Sequence, residues 1–183
     1  MMTERVAFLN KFIMEPKKIG SIMPSSSFLT KKMMGKLPCD NIDTIVELGA
    51  GTGVFTDYIS KNKKQSCQFL VIEQDLKMRE NLRLKYPSFH YGTKAEKLDG
   101  LLQSYDLQQV ECIVSGLPFA VFPESQRQKI MAAVIRSLKP GGIFVAFQYS
   151  LQMRKTLKKY FSELDIAFVT LNMPPAFVYF CRK

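Results

Sequence analysis

Short apolar runs alternate with amphipathic stretches along this 183-residue chain. Ile45-Val46 with Leu48, Phe69-Leu70-Val71-Ile72, His90-Tyr91, Cys112-Ile113-Val114 and residues 143–149 read as strands. Between them, apolar positions recur at helical spacing. Phe28, Leu29, Met33 and Met34 predict one helix ending near Gly35 and Pro38, and a second runs to about Ser60. A third covers residues 76–86, closed by Pro87, and a fourth opens at Pro123-Glu124 and stops at Lys139-Pro140-Gly141-Gly142. A basic helix is expected over 151–161. Two last strands, near 167–171 and 177–181, flank Met173-Pro174-Pro175, a link short enough for an antiparallel hairpin. Strands alternating with helices imply a parallel α/β sheet. A ligand is then expected at the carboxyl ends of the first and second strands, where the sheet order reverses.

The front of the chain has a different pattern. Over residues 4–15, Val6, Leu9 and Ile13, with Phe8 and Phe12 beside them, form the apolar stripe of an amphipathic helix. Pro16 stops it and Lys17-Lys18 follow. Such a helix lies in a membrane interface or packs on its own domain, and the pattern leaves both open. Residues 19–27 read as a loop from their glycine, proline and serine content.

With 46% apolar residues the chain has enough material for one domain with a proper core. Cys39, Cys67, Cys112 and Cys181 have no ligand-like spacing, and His90 is the single histidine. That argues against a zinc site and a disulfide framework, and fits a reducing interior. No apolar run approaches the ~20 residues that span a bilayer. Asn10 and Lys11 interrupt the N-terminal apolar stretch, unlike a signal peptide. A cytoplasmic protein is expected, free or bound to the inner face of the membrane. The net charge of +10 changes the picture, because it sits at the two ends. Residues 1–36 hold seven basic and two acidic side chains, residues 151–183 six and two, and the centre is near neutral. Basic ends suit a phosphate-bearing partner, either an anionic lipid surface or RNA.

The candidate chemistry begins at Glu47-Leu48-Gly49-Ala50-Gly51-Thr52-Gly53. Three glycines alternating with small residues make a strand-to-helix turn whose backbone approaches a ligand closely. Glu73, twenty residues beyond Gly53 at the end of the second strand, is placed to accept both hydroxyls of a ribose. A dinucleotide fingerprint would instead read Gly-x-Gly-x-x-Gly, without the preceding acid. The pattern resembles the cofactor signature of class I S-adenosylmethionine (AdoMet) methyltransferases. A second informative stretch, Ser115-Gly116-Leu117-Pro118-Phe119, follows the fourth strand. Its carbonyls and ring suit it to hold a nitrogen in line for methyl transfer. It is similar to the Asn-Pro-Pro-Tyr element of adenine N6-methyltransferases, but Ser115 replaces the amide and Phe119 the tyrosine.

A wider resemblance runs through nearly the whole chain. Glu15-Pro-Lys-Lys-Ile-Gly-Ser-Ile-Met-Pro-Ser-Ser26, Val46 to Phe55, Ser115 to Phe119, Leu138-Lys-Pro-Gly-Gly142, Phe147-Gln-Tyr149 and Asn172-Met-Pro-Pro-Ala176 occur in order. Together they resemble the bacterial phospholipid N-methyltransferases, relatives of the rRNA adenine dimethylases. The resemblance implies a Rossmann-like class I methyltransferase fold, with seven mostly parallel strands, an antiparallel last strand and N-terminal helices. It implies an N-terminal helix and lid segment over 1–38 and an AdoMet-binding domain over 39–183, in one globular unit. Residues 4–26 then form a membrane-binding lid for an anionic surface. Cofactor contacts are implied at Ser25, Glu47, Gly49, Ala50, Gly51, Gly53, Glu73, Gln74, Ala95, Glu96 and Ser115. Acceptor contacts are implied at Ser115, Leu117, Pro118, Phe119 and Tyr149, and no metal. The family's usual Gly-Asp-Ala is Gly92-Thr93-Lys94-Ala95 here, so a carboxylate that would read adenine is missing. The expected activity is methylation of a phospholipid amine. RNA adenine methylation is the alternative, and AdoMet binding without transfer a third.

Overall fold

The computed structural model describes residues 27–183. The 4–15 helix, Lys17-Lys18 and the loop with Ser25 lie outside those residues. Seven strands form one sheet: β1 (Thr44–Leu48), β2 (Gln68–Ile72), β3 (His90–Gly92), β4 (Val110–Ser115), β5 (Leu138–Gln148), β6 (Glu163–Val169) and β7 (Ala176–Arg182). Their order is β3-β2-β1-β4-β5-β7-β6. The first five run parallel, and β7 is inserted antiparallel between β5 and β6. The order reverses between β1 and β4, one strand away from the first-and-second-strand position expected. The post-β4 loop therefore meets the glycine turn directly, a juxtaposition the linear chain does not reveal.

Helices cover both faces: α1 (Ser27–Met34), α2 (Val54–Asn62), α3 (Leu76–Lys85), α4 (Leu98–Ser104), α5 (Glu124–Ser137) and α6 (Arg154–Tyr160). Side chains alternate across each strand, so neighbours enter opposite layers. Ile113, Phe144 and Tyr179 pack with Leu98, Ile130, Val134 and Leu157 in one layer. Val114, Val145 and Val178 pack with Leu29, Met33, Phe55 and Ile59 in the other. The α1 helix is thus built into the core under one face of the sheet.

Several boundaries differ from expectation for local reasons. The seven-residue α4 escapes a periodicity reading because it is short and carries Gly100. The strand β6 starts at Glu163 rather than 167, since Glu163 and Asp165 alternate with apolar residues on an exposed sheet edge. Lys139-Pro140-Gly141-Gly142 does end α5, but it is looped out within β5. Pairing jumps from Val110↔Leu138 to Cys112↔Ile143, with Gly141 at φ 73°. The chain end ties this bulge down, Gly141 N–H donating to the Lys183 carbonyl at 3.0 Å.

Phe144 is fully buried on β5 and stacks on Phe161, ring centroids 5.6 Å apart. Phe144→Ala is expected to destabilise the fold by about 3–5 kcal/mol, the usual cost of an aromatic-sized cavity. Urea unfolding of the variant against the parent measures it.

Candidate active site

After β1 the backbone turns on three glycines with positive φ: Gly49 at 75°, Gly51 at 56° and Gly53 at 88°. Each would strain any other residue. At two of them a side chain would also displace the tip of a neighbouring leucine. A Cβ on Gly49 would come 2.8 Å from the Leu117 side chain, and one on Gly53 2.5 Å from Leu82. Gly51 differs, with nothing within 4 Å of its Cβ position, so its backbone borders open space. The turn is held to the sheet by Gly49 N–H donating to the Ile72 carbonyl at 2.8 Å. The facing loop closes on it through Gly116, whose N–H donates to Leu48 at 2.8 Å. A Cβ on Gly116 would sit 2.8 Å from the Gly49 carbonyl, so this approach requires glycine.

Two carboxylates flank the turn. Glu73, at the end of β2, accepts from Gly51 N–H at 2.7 Å and from Asp75 N–H at 2.8 Å. Arg79 braces the same segment by donating to the Glu73 carbonyl at 2.8 Å. Each Glu73 oxygen keeps a lone pair beyond these bonds, as a ribose diol requires. Glu47, inside β1, has no exposed surface. Its Oε2 accepts from the Thr56 hydroxyl at 2.6 Å, while Oε1 is buried without a hydrogen-bond partner among the described residues. Burial pushes its pKa up to about 7; Thr56 opposes the rise and the nearby Glu73 charge adds to it. An orphaned buried carboxylate oxygen beside a glycine cradle open at Gly51 fits a cationic ligand carrying a ribose. AdoMet has both features.

The post-β4 loop forms the opposite wall. The Ser115 hydroxyl is buried and accepts from Leu117 N–H at 3.3 Å. The Leu117 carbonyl accepts from Phe119 N–H at 2.9 Å and from the Gln148 side-chain amide at 2.9 Å. Leu117 and Pro118 are half-buried. The Phe119 ring, expected beside the acceptor, is 1% exposed and packs edge-on to Phe122 in the core. Tyr149 lies just past β5, half-buried and edge-on to Phe147, which meets Phe55 of α2 in the same way. Burial raises the Tyr149 pKa and a hydrogen bond with Asn172 opposes it. Asn172 itself donates to the Pro174 carbonyl at 2.7 Å, bracing the β6–β7 turn, and its bond with Tyr149 ties that turn to the end of β5.

The remaining expected contacts spread around this centre. Ala50 is buried in the turn, while Gln74 is exposed and offers its carbonyl to Arg79 at 3.3 Å. Ala95 is buried at the start of a short 3-10 turn, Glu96 is half-buried and Lys94 is exposed. Neither Lys94 nor Glu96 bonds another described side chain, so the half-buried Glu96 carboxylate is not committed elsewhere among the described residues. Ser25 lies outside the described residues. Gln148 and Asn172 stand in motifs quoted from the sequence but were given no role there, and Thr56 and Arg79 were given none either. The available signal for Gln148 was a polar residue within an apolar strand, and for Thr56 a hydroxyl in the first helical turn after the glycines. Among the described residues no His, Cys, Asp or Glu cluster is arranged to hold a metal.

Comparison with known proteins gives the family and the fold. Residues 45–142 match the family described as methyltransferase domain. An ornithine lipid N-methyltransferase of Singulisphaera acidiphila is 31% identical over 180 residues, 96% of this chain and 94% of that protein. A carboxy-S-adenosyl-L-methionine synthase of Nautilia profundicola is 28% identical over 117 residues, and the match spans only 49% of its length. Among solved structures, the N-methyltransferase NodS of Bradyrhizobium japonicum, in complex with S-adenosyl-L-homocysteine, superposes with a TM-score of 0.70 at 12% identity. That match covers 95% of this chain and 98% of NodS. A precorrin-6y C5,15-methyltransferase of Geobacter metallireducens gives 0.69 at 15% identity, over 90% and 92% of the two chains. These two likenesses show the fold.

Glu47 gives the ligand-free protein a pH signature. Its folded pKa of about 7 lies above the ordinary 4.5. The stability that its protonated form contributes is therefore complete below the lower value and is lost as pH rises through the upper one. Thermal unfolding midpoints are expected to fall between pH 5 and pH 8. Glu47→Gln, which has no charge to bury, is expected to flatten that fall.

Proposed function

This chain belongs to the methyltransferase-domain family and uses AdoMet, and from that premise we propose that it methylates the amine of a phospholipid-like headgroup at a membrane surface. One observation carries the proposal. The 31% identity to an ornithine lipid N-methyltransferase extends over 96% of the chain, including the acceptor loop and the segment after β5. When bound, AdoMet supplies a methyl group activated as a sulfonium. The chain's own residues hold and orient the two reactants. Glu73 would hold the ribose, the Gly49–Gly53 turn would supply the adjoining backbone contacts, and the buried Glu47 carboxylate would favour a positive charge above the turn.

On the acceptor side the work is placement. Ser115, Leu117 and Pro118 form the wall, with the Leu117 carbonyl committed to Gln148 and Phe119, so that it fixes the loop's shape. Tyr149 borders the same space. Its raised pKa keeps the phenol neutral near pH 7, so it orients an amine by hydrogen bonding and takes no proton from it. The buried Phe119 offers no ring for a flat base to stack on, and the half-buried Tyr149 is already packed edge-on with Phe147, which favours an aliphatic amine over adenine.

The membrane surface is part of the same proposal. Residues 4–26, with Lys17 and Lys18, supply an amphipathic, basic contact. Four of the seven large apolar side chains exposed among the described residues are Leu151, Phe168, Leu171 and Met173. All four lie in or beside the segments that leave β5 and join β6 to β7, at the ligand end of the sheet. Met173 is 75% exposed and Leu171 65%. No described helix is long and apolar enough to cross a membrane. The scattered cysteines, unsuited to a disulfide framework, favour work on the bilayer from its reducing, cytoplasmic face.

Purified protein, tritiated AdoMet and two separate acceptors test this: anionic liposomes containing phosphatidylethanolamine or ornithine lipid, and RNA stripped of modification. Label is expected in the lipid phase. Label confined to RNA would replace the proposal with adenine methylation.

A further inference from the structure

A groove at the same end of the sheet has no part in the site described above. It runs between α6 and the edge strand β6, about 380 Å³ of space, within the ~300–1,000 Å³ typical of small-ligand sites. Leu164, Ile166 and Phe168 share its floor with Phe177 of β7, because alternate strand residues point to one face. The rings of Phe168 and Phe177 lie 4.8 Å apart, yet Phe168 is 54% exposed. Arg154 and Lys158 stand on the rim, one helical turn apart. Neither pairs with a carboxylate among the described residues.

Strand register joins this groove to the acceptor wall. Gln148 pairs with Phe177, and Phe177 with Phe168, so the three side chains form a row on one face of the sheet. Two strand spacings separate the ends of that row, about 10 Å. Gln148 holds the Leu117 carbonyl, so the groove mouth opens beside the loop that positions the amine. An apolar floor excludes a free inorganic anion, and two unneutralised cations on the rim disfavour a neutral hydrocarbon. Together they select an anionic group with a hydrocarbon chain attached.

We propose that this groove holds an acyl chain of the lipid acceptor, with Arg154 and Lys158 on an anionic group of the same molecule. The inference rests on the lipid-amine reading and narrows it. The acceptor carries a phosphate or carboxylate as well as its amine, and a water-soluble amine with the same headgroup is a poor substitute.

The chain contains no tryptophan, so Phe168→Trp in the full chain provides a single emitter at the groove mouth. The probe is bromine-labelled dodecanoate, kept below its critical micelle concentration so that no membrane surface is present. Saturable quenching is expected for Phe168→Trp. None is expected for Leu84→Trp, an 82% exposed position on α3 near the opposite sheet edge. Adding Arg154→Glu and Lys158→Glu to Phe168→Trp is expected to weaken probe binding about ten-fold, with AdoMet affinity unchanged as proof of folding. Absence of saturable quenching, equal quenching at Leu84→Trp, or indifference to charge reversal would each overturn the groove. Lipid methylation measured in parallel separates the two readings. Transfer to lipid without quenching removes the groove and leaves the lipid-amine activity standing. Quenching without transfer to any lipid removes that activity, and with it the groove's role as an acceptor subsite.

Discussion

A carboxylate in the middle of the sheet, one oxygen of which has no partner among the described residues, is the constraint around which this structure is arranged. Glu47 sits on β1, flanked by β2 and β4, with no exposed surface. Burying a carboxylate costs several kcal/mol unless it is well paired, and the Thr56 hydroxyl satisfies only Oε2. The consequence is a pKa near 7 in the ligand-free protein. Such a group is a poor contributor to stability and a good receptor for a cation that brings its own charge into the cleft. The close approach of the two loops beside it depends on Gly116, where a side chain would collide with the Gly49 carbonyl.

Around that centre the chain invests in fixing loops rather than in reactive side chains. The Gln148 amide pins the post-β4 loop through Leu117, and Asn172 links Tyr149 to the β6–β7 turn. Placing β7 between β5 and β6 brings that turn to the ligand end of the sheet. It also sets Gln148, Phe177 and Phe168 in one row. A methyl transfer that depends mainly on placement suits such a scaffold, because small displacements of the loop, more than loss of a single group, would slow it.

Much of this was legible in the sequence, and the exceptions have physical causes. The glycines and Glu73 could be read because each answers a local demand, a positive φ or an acid at a strand end. The strands of the parallel part could be read because both of their faces are buried. The edge strand β6 and the short α4 could not, since an exposed edge tolerates charge and seven residues carry little periodicity. The position of the order reversal was misjudged by one strand, because it depends on which crossover goes to which side. Phe119 shows the limit most clearly: its position in the motif suggests a ring facing the ligand, whereas packing against Phe122 turns it into the core. The partners of Glu47, Leu117 and Tyr149 lie 9, 31 and 23 residues away, so only the folded chain brings them together.

The most direct test of this account is a calorimetric titration of AdoMet into the parent protein and Glu47→Gln at pH 8. If the unpartnered oxygen exists to meet the cofactor's positive charge, the variant is expected to bind about ten-fold more weakly or worse. Equal affinities would mean that the buried carboxylate serves the fold alone, and would contradict the account at its centre.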